Sequence, residues 1–168
     1  TYNSKGESDT TAPEVLEGSI RTDNPTRSSN GRQEDTVTRS FTTSEPVQTP
    51  TANSVTVTGL SGVTVVGNDA KTEWTATGTV AANASGNASF SITVSDRAGN
   101  SSAEVTATHD DTIVTLDTTK PTLSGIVLSS TNAKDGTRHA KKDDDLILTF
   151  TSSEAVSYTH LIAHETEA

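Results

Sequence analysis

Four aspartates near predicted turns have the residue type and spacing that suit a metal ion. Asp110, Asp111 and Asp117 flank the last predicted strand of the central region, and Asp96 lies in a predicted hairpin turn. Calcium takes about six to eight oxygen ligands and tolerates flexible loop ends. We therefore predict a calcium site formed by these four aspartates. The alternative is local, with Asp117 capping a turn through Thr119 and Asp96 forming an Asx-turn.

The histidines make a weaker case for chemistry. His160 and His164 stand four residues apart beside Glu165, which on a helix would place two zinc ligands on one face. His109 and His139 lie in polar turns without a partner motif, as solvated side chains do. Nucleophile-elbow, phosphate-binding and paired-carboxylate motifs are lacking, so the sequence predicts a protein that is not an enzyme.

A repeated pair of motifs organises the chain. Residues 9–13 (Asp-Thr-Thr-Ala-Pro) recur 108 positions later as Asp-Thr-Thr-Lys-Pro. Residues 40–47 (Ser-Phe-Thr-Thr-Ser-Glu-Pro-Val) recur 109 positions later as Thr-Phe-Thr-Ser-Ser-Glu-Ala-Val. A period of about 100 residues suits an immunoglobulin-like sandwich better than a solenoid. The repeat predicts the end of a preceding unit, one complete domain and the truncated start of a third unit, at residues 1–8, 9–116 and 117–155.

Short segments with alternating apolar and polar residues predict an all-β fold. We predict a first strand at residues 14–20, a loop at 21–33 and a turn at 81–87. The later strands are predicted at residues 36–41, 54–58, 63–66, 72–80, 89–95, 103–107 and 112–116. With turn residues between these strands and no helical periodicity, an antiparallel immunoglobulin-like sandwich is the economical interpretation. Its predicted core consists of Val37, Phe41, Val55, Val57, Trp74, Phe90, Ile92, Val94, Val105 and Ile113.

Composition limits the class of protein. Thr and Ser supply 53 residues, Leu, Ile, Val and Phe supply 31, and the formal net charge is −10. A disordered linker has a similar composition, but the alternation within the segments favours a folded domain. Negative charge repels nucleic acid and anionic lipid, so we expect no nucleic-acid partner.

The sequence also bears on anchoring and cross-linking. No stretch approaches about 18 consecutive apolar residues, so we expect no membrane span. The absence of cysteine excludes disulfides and thiolate metal sites. Because Met does not occupy position 1, we expect this chain to be an internal piece of a longer polypeptide.

Together these motifs resemble the bacterial immunoglobulin-like repeats of large surface and adhesin proteins. The resemblance covers residues 9–155 and rests on the junction motif, on residues 41–47, on Trp74 and on residues 94–100 (Val-Ser-Asp-Arg-Ala-Gly-Asn). The first copy departs from the pattern at Arg39, where the second has leucine. The resemblance implies a tandem array, in which calcium often stiffens the linkers between domains.

The expected function follows from that resemblance. We predict a non-enzymatic spacer or stalk in an extracellular protein of the bacterial cell surface, which supports cell adhesion by holding an adhesive domain away from the cell. Its partners would be the neighbouring repeats, and other domains would bind a host or glycan ligand. The alternative is a glycan- or protein-binding module accessory to a secreted enzyme. An exposed aromatic platform would favour that alternative, but residues 59–86 offer only Trp74.

The last thirteen residues, 156–168, are predicted to be a non-native tail. Val-Ser-Tyr-Thr-His-Leu, at residues 156–161, resembles the translation of a transposase adapter used in sequencing libraries, although Ile162 replaces an expected arginine. His160 and His164 would then carry no chemistry. A continuing strand is the alternative, because Val156 matches Val47.

Overall fold

A computed structural model describes residues 8–132 and 139–155 of the chain. Within those residues the fold is all-β, with antiparallel sheets and no helix. None of them therefore forms an apolar helix long enough to cross a membrane. The predictions for residues 1–7, for the tail and for His160, His164 and Glu165 fall outside the described residues.

The chain divides into two compact units, unit 1 (Thr1–Thr118) and unit 2 (Thr119–Ala168). Unit 1 contains nine strands within its described residues: β1 (Val15–Thr22), β2 (Asn30–Gly31), β3 (Thr36–Thr43), β4 (Val55–Val57), β5 (Leu60–Gly67), β6 (Glu73–Val80), β7 (Ser85–Asn87), β8 (Phe90–Ile92) and β9 (Thr115–Asp117). Unit 2 contains β10 (Leu123–Ser130) and β11 (Leu146–Ser152).

A four-stranded antiparallel sheet in the order β1-β3-β6-β5 is the largest element of unit 1. In β3, Val37, Arg39 and Phe41 are buried, and the residues between them are only half-buried, so the strand has a core face and an outer face. β6 alternates in the same way, with Trp74 and Ala76 buried. Phe41 lies opposite Trp74, which pairs two aromatic side chains across neighbouring strands.

Hydroxyl side chains occupy much of the outer face of this sheet. Thr64 and Thr77 lie opposite each other, and their hydroxyl oxygens are 3.1 Å apart. Branching at Cβ stiffens threonine and favours extended backbone. Threonine at these positions therefore suits the extended backbone of the sheet.

Three smaller sets of strands complete unit 1. β4 pairs with β8, and β7 pairs with β9, both antiparallel. β2 pairs with β9 in the parallel direction over two residues. A single bridge joins Ile92 to Val105 next to the β4–β8 pair. The parallel β2–β9 pair is the one departure from the predicted antiparallel pattern among the described residues.

The buried side chains of the four-stranded sheet and of the smaller sets form one apolar cluster. Nine of the ten predicted core residues belong to it or pack against it, with Val105 only partly buried. Ile113 was wrongly assigned, since it is 59% exposed while Val114 and Leu116 are buried. Side chains of a strand alternate between faces, and the prediction chose the wrong face of this segment.

Some predicted boundaries also differ from the structure. Residues 103–107 form no strand beyond the single bridge at Val105. The predicted loop at 21–33 contains β2, and the predicted turn at 81–87 contains β7. These strands have two and three residues, too few to show a period of two.

In unit 2, β10 and β11 form an antiparallel hairpin of two strands. Its large apolar side chains are exposed, among them Leu123, Leu128, Leu146, Leu148 and Phe150. This hairpin therefore presents an apolar face that the described strands of unit 2 do not cover. Two strands alone are marginally stable in water.

Candidate functional site

The turn that follows β8 is organised by the carboxylate of Asp96, which is buried. Asp96 Oδ1 accepts hydrogen bonds from the main-chain N–H groups of Gly99, at 2.6 Å, and Asn100, at 2.9 Å. Asp96 Oδ2 accepts a third from Asn100 Nδ2 at 2.8 Å. Gly99 has a φ of 100°, which glycine adopts without strain. The motif Asp-Arg-Ala-Gly-Asn thus forms a closed turn around one carboxylate.

This turn is joined to the two motifs that recur along the chain. Asn100 Nδ2 also donates to the main-chain oxygen of Asp9, at 3.1 Å, in the junction motif. Val47, at the end of the second repeated motif, forms a bridge with Asp96. The next residue, Gln48, donates from Nε2 to the main-chain oxygen of Asp96 at 2.6 Å. Three motifs that are far apart in the sequence therefore meet at one place.

Three carboxylates come together at that meeting point. Oxygen atoms of Asp9, Glu45 and Asp96 lie within 4.8 Å of one another. Desolvation, followed by the charges of Asp9 and Asp96, raises the pKa of Glu45. Three carboxylates supply up to six oxygen atoms, the type of ligand that calcium prefers. Whether the group binds a cation is tested below.

Desolvation alone would raise the pKa of Asp96, but its hydrogen bonds outweigh that effect. The Asn100 side chain and the main-chain N–H groups of Asn100, Gly99 and Ala98 donate to the carboxylate, so its pKa lies below the usual range. Asp96 thus stays charged in the group and is held in place by its own turn. The Asx-type alternative considered for Asp96 describes this turn.

Of the four aspartates predicted to bind calcium, only Asp96 belongs to this group. Asp110 Oδ1 accepts from the Thr112 hydroxyl at 2.7 Å and from the Thr112 main-chain nitrogen at 3.1 Å. The Thr112 hydroxyl lowers the pKa of Asp110 by this contact. Asp111 is exposed with a φ of 55°, and Asp117 pairs with Ser85 in the β7–β9 ladder. Calcium binding through all four remains a prediction.

The sequence contained a signal for the two carboxylates that the prediction missed. Asp9 opens the junction motif, and Glu45 lies in the second repeated motif. Both residues recur in the second copy, as Asp117 and Glu154. Because both residues recur, the repeat could have grouped Asp9 with Glu45. The prediction instead grouped Asp117 with Asp110 and Asp111, because these three are close in the sequence.

A separate groove of about 780 Å³ lies against the four-stranded sheet. Its lining includes half-buried hydroxyl residues of the outer face, such as Ser40, Thr42 and Thr75. Glu17, Glu73, His109 and Asp110 supply its ionisable groups. Trp74 contributes to the lining but is 2% exposed. The groove therefore combines polar and apolar surface and carries acidic groups, without an accessible aromatic face.

Comparisons with family models, with curated proteins and with solved structures gave no match for this chain.

Replacing Glu45 with glutamine tests the carboxylate group through its pH and calcium dependence. The pKa of Glu45 is higher in the folded chain than the value of about 4.3 expected in the unfolded chain. The protonated carboxyl group therefore stabilises the fold below a pH of about 4.3, and this stabilisation is lost as the pH rises through the folded pKa. At pH 7 without calcium, charged Glu45 therefore costs stability, and Glu45→Gln is expected to raise the melting temperature. Near pH 3 the wild type and the variant should melt alike.

Calcium should reverse that order at neutral pH. If the three carboxylates hold the ion, millimolar calcium stabilises the wild type more than Glu45→Gln, because the variant lacks one charged ligand. Thermal melts in EDTA and in calcium measure both effects, with Glu17→Gln as the control outside the group. Equal melting temperatures with and without calcium in the wild type would rule out the ion.

Proposed function

We propose that this chain belongs to a tandem array of immunoglobulin-like β-sandwich domains that acts as a non-enzymatic spacer. Residues 9–116 form one complete domain of the array, and residues 117–155 begin the next. The observation that carries the proposal is the matching local geometry of the two units. It extends the repeat from residue types to strand register, hydrogen bonds and backbone angles.

The pairing of β1 with β3 and the pairing of β10 with β11 have the same register, which supports the repeat. Five of the six residue pairs between β10 and β11 have a counterpart between β1 and β3, 108 positions earlier on the first strand and 109 on the second. Leu128 opposite Leu148, for example, corresponds to Ile20 opposite Arg39. Both hairpins also carry a register shift near the start of the first strand.

Side-chain caps at the strand ends match as well. The main-chain nitrogen of Glu14 donates to Ser44 Oγ at 2.9 Å, and that of Thr122 donates to Ser153 Oγ at 3.0 Å. At the other end of the β1–β3 pair, the main-chain nitrogen of Thr36 donates to Asp23 Oδ1 at 2.8 Å. Its counterpart is Asp145 N, which donates to Thr131 Oγ1 at 2.9 Å. The donor positions recur even where the acceptor changes from a carboxylate to a hydroxyl.

The turns that precede β3 and β11 are the third match. Arg32 Nε lies 2.9 Å from Asp35 Oδ1, and Lys141 Nζ lies 3.1 Å from Asp144 Oδ1. Between the partners, Glu34 and Asp143 have positive φ values of 73° and 74°. A positive φ is uncommon outside glycine, so its recurrence at the same position supports a shared fold. The acidic run at residues 143–145 accordingly forms a turn before an apolar strand.

A spacer works mechanically in this proposal. Domains in series with short junctions contact chiefly their neighbours, so the reach of the array grows with the number of repeats. The net charge of −10 favours solubility and disfavours nucleic-acid and anionic-membrane partners. These properties, with the resemblance to adhesin repeats, support an extracellular role at a bacterial cell surface. The array would support adhesion through a ligand-binding domain elsewhere in the polypeptide.

A glycan- or protein-binding module is the second candidate, and the acidic groove on unit 1 favours it. Its carboxylates and hydroxyls could bond to the hydroxyl groups of a sugar. Glycan sites commonly add an aromatic surface for stacking, and burial of Trp74 removes the one tryptophan from that role. We therefore prefer the spacer.

Small-angle X-ray scattering from chains with one, two and three tandem copies of residues 9–116 tests the spacer. The maximum dimension is expected to increase by the same length with each added copy, because each unit folds by itself. A dimension that stops increasing after the second copy would indicate units that collapse onto one another, and the spacer would then be excluded.

A further inference from the structure

We infer that the apolar face of the β10–β11 hairpin is a docking surface for the later strands of a further repeat. The face carries Leu123, Leu128, Leu146, Leu148 and Phe150. Its occupant is a segment of the sequence type of residues 47–118, supplied in the same polypeptide after Ala155. This inference rests on the proposed tandem repeat and extends it to named contacts.

Unit 1 indicates what covers this face. The counterparts of the five residues are Val15, Ile20, Val37, Arg39 and Phe41, none of which is more than 7% exposed. In unit 2 the corresponding side chains are 47–65% exposed. The counterparts belong to the same buried cluster as Val55, Phe90, Ile92 and Val114, apart from Arg39, which lies over the Phe90 ring. All four of those cluster partners come from residues 47–118.

The hairpin presents an edge as well as a face. In unit 1, β3 pairs with β1 on one side and with β6 on the other. Among the described residues, β11 pairs only with β10, so the side that corresponds to β6 is without a strand. Exposed edges and apolar faces both favour association.

The occupant must both cover the apolar face and pair with the edge of β11. A second copy of the hairpin packed face to face would cover the leucines but would leave the β11 edge unpaired. A strand added at the edge alone would leave the leucines in water. Residues 47–118 include both β6 and the strands that supply the covering side chains. A segment of this type therefore satisfies the edge and the face at once.

Position 148 makes the completed second unit different from unit 1. Arg39 is fully buried in unit 1, whereas its counterpart Leu148 is apolar. A phenylalanine equivalent to Phe90 would then meet a leucine instead of a guanidinium. The second unit, once covered, should therefore avoid the cost of burying a cation at this position.

The test extends the chain so that both units are present. Residues 47–118 are joined after Ala155 in place of residues 156–168, and the original chain serves as the reference. Amide hydrogen exchange at residues 146–150 is expected to slow by about 100-fold or more, because the strand becomes buried and paired. Binding of an apolar fluorescent dye should fall in parallel.

Two variants of the extended chain separate docking from unrelated effects. Leu148→Asp places a charge on the proposed docking face and should abolish the slower exchange. Thr149→Asp changes the neighbouring residue, whose counterpart Ser40 lies on the outer face of unit 1, and should retain it. Amide exchange in β3 (Thr36–Thr43), which lies outside the duplicated segment, reports in each variant that unit 1 itself remains folded.

Fast exchange at residues 146–150 in the extended chain would overturn the inference, as would equal effects of the two aspartate variants. Neither result would alter the scattering from tandem copies of residues 9–116, which tests the spacer separately. Slow exchange that is lost only in Leu148→Asp would support the docking face.

Discussion

Arg39→Leu is expected to stabilise unit 1 by about 1–4 kcal/mol, by analogy with the range for replacing a buried ion pair with packed apolar residues. Arg39 is fully buried, and Nε and Nη2 have no hydrogen-bond partner among the residues that the structure describes. Nη1 donates to the main-chain oxygens of Ser19 and Ser40. Desolvation lowers the pKa of Arg39 to about 10, so the side chain is still charged at neutral pH.

Some contacts of Arg39 offset part of the free-energy cost of burying its charge. Its guanidinium carbon lies 4.4 Å from the centre of the Phe90 ring, and the charge of Asp110 favours the protonated form. The side chain also fits against Gly18, where an added Cβ would lie 2.8 Å from Arg39 Cζ. These contacts position the guanidinium, and within the described part of the chain it forms no ion pair. Leucine at position 39 reproduces the residue that the second copy carries.

Denaturant unfolding of the wild type, Arg39→Leu and Arg39→Ala measures the effect. Alanine removes the same charge but leaves a cavity, so its gain should be smaller than that of leucine or absent. A leucine variant less stable than the wild type would show that the guanidinium contributes net stability, and the account of a costly buried cation would be wrong.

Trp74→Ala should have the largest destabilising effect in unit 1, about 3–5 kcal/mol. Trp74 is 2% exposed and lies opposite Phe41 in β3 and Gly67 in β5. A Cβ on Gly67 would lie 2.8 Å from Trp74 Cη2, so the ring packs directly on the backbone of β5. A domain of this size has about 5–15 kcal/mol of stability, and the variant would lose a large part of it.

Val66→Ala is the matched control, because Val66 is on the same sheet but is 67% exposed. It should change the free energy of unfolding by less than about 0.5 kcal/mol. Circular dichroism follows both variants, since tryptophan fluorescence is lost in one of them. Similar losses in the two variants would mean that Trp74 is not at the centre of the core.

The sequence was informative about strands in which apolar residues alternate with polar ones. Thr36–Thr43 has apolar residues at Val37 and Phe41, and Glu73–Val80 has an apolar residue or glycine at every second position. Both form central strands with that face buried. Arg39 interrupts the apolar pattern of β3 without changing the register. Neighbouring side chains already fix which face is buried, so the arginine is carried into the core with them.

Sequence patterns were less informative where tertiary contacts decide the structure. Residues 103–107 alternate, yet they form only a bridge at Val105. Asp9 and Glu45 come within reach of Asp96 because Asn100 and Gln48 tie separate segments together. Such long-range hydrogen bonds leave no local pattern. Repetition along the chain was the feature that pointed to these residues.

Mechanical unfolding of the array of three copies of residues 9–116 tests the central claim most directly, namely that each repeat is an independently folded module. We expect three separate unfolding events of equal length, each releasing on the order of 350 Å of chain, since an extended residue spans about 3.3–3.6 Å. A single event for the whole array, or extension without any events, would contradict the account.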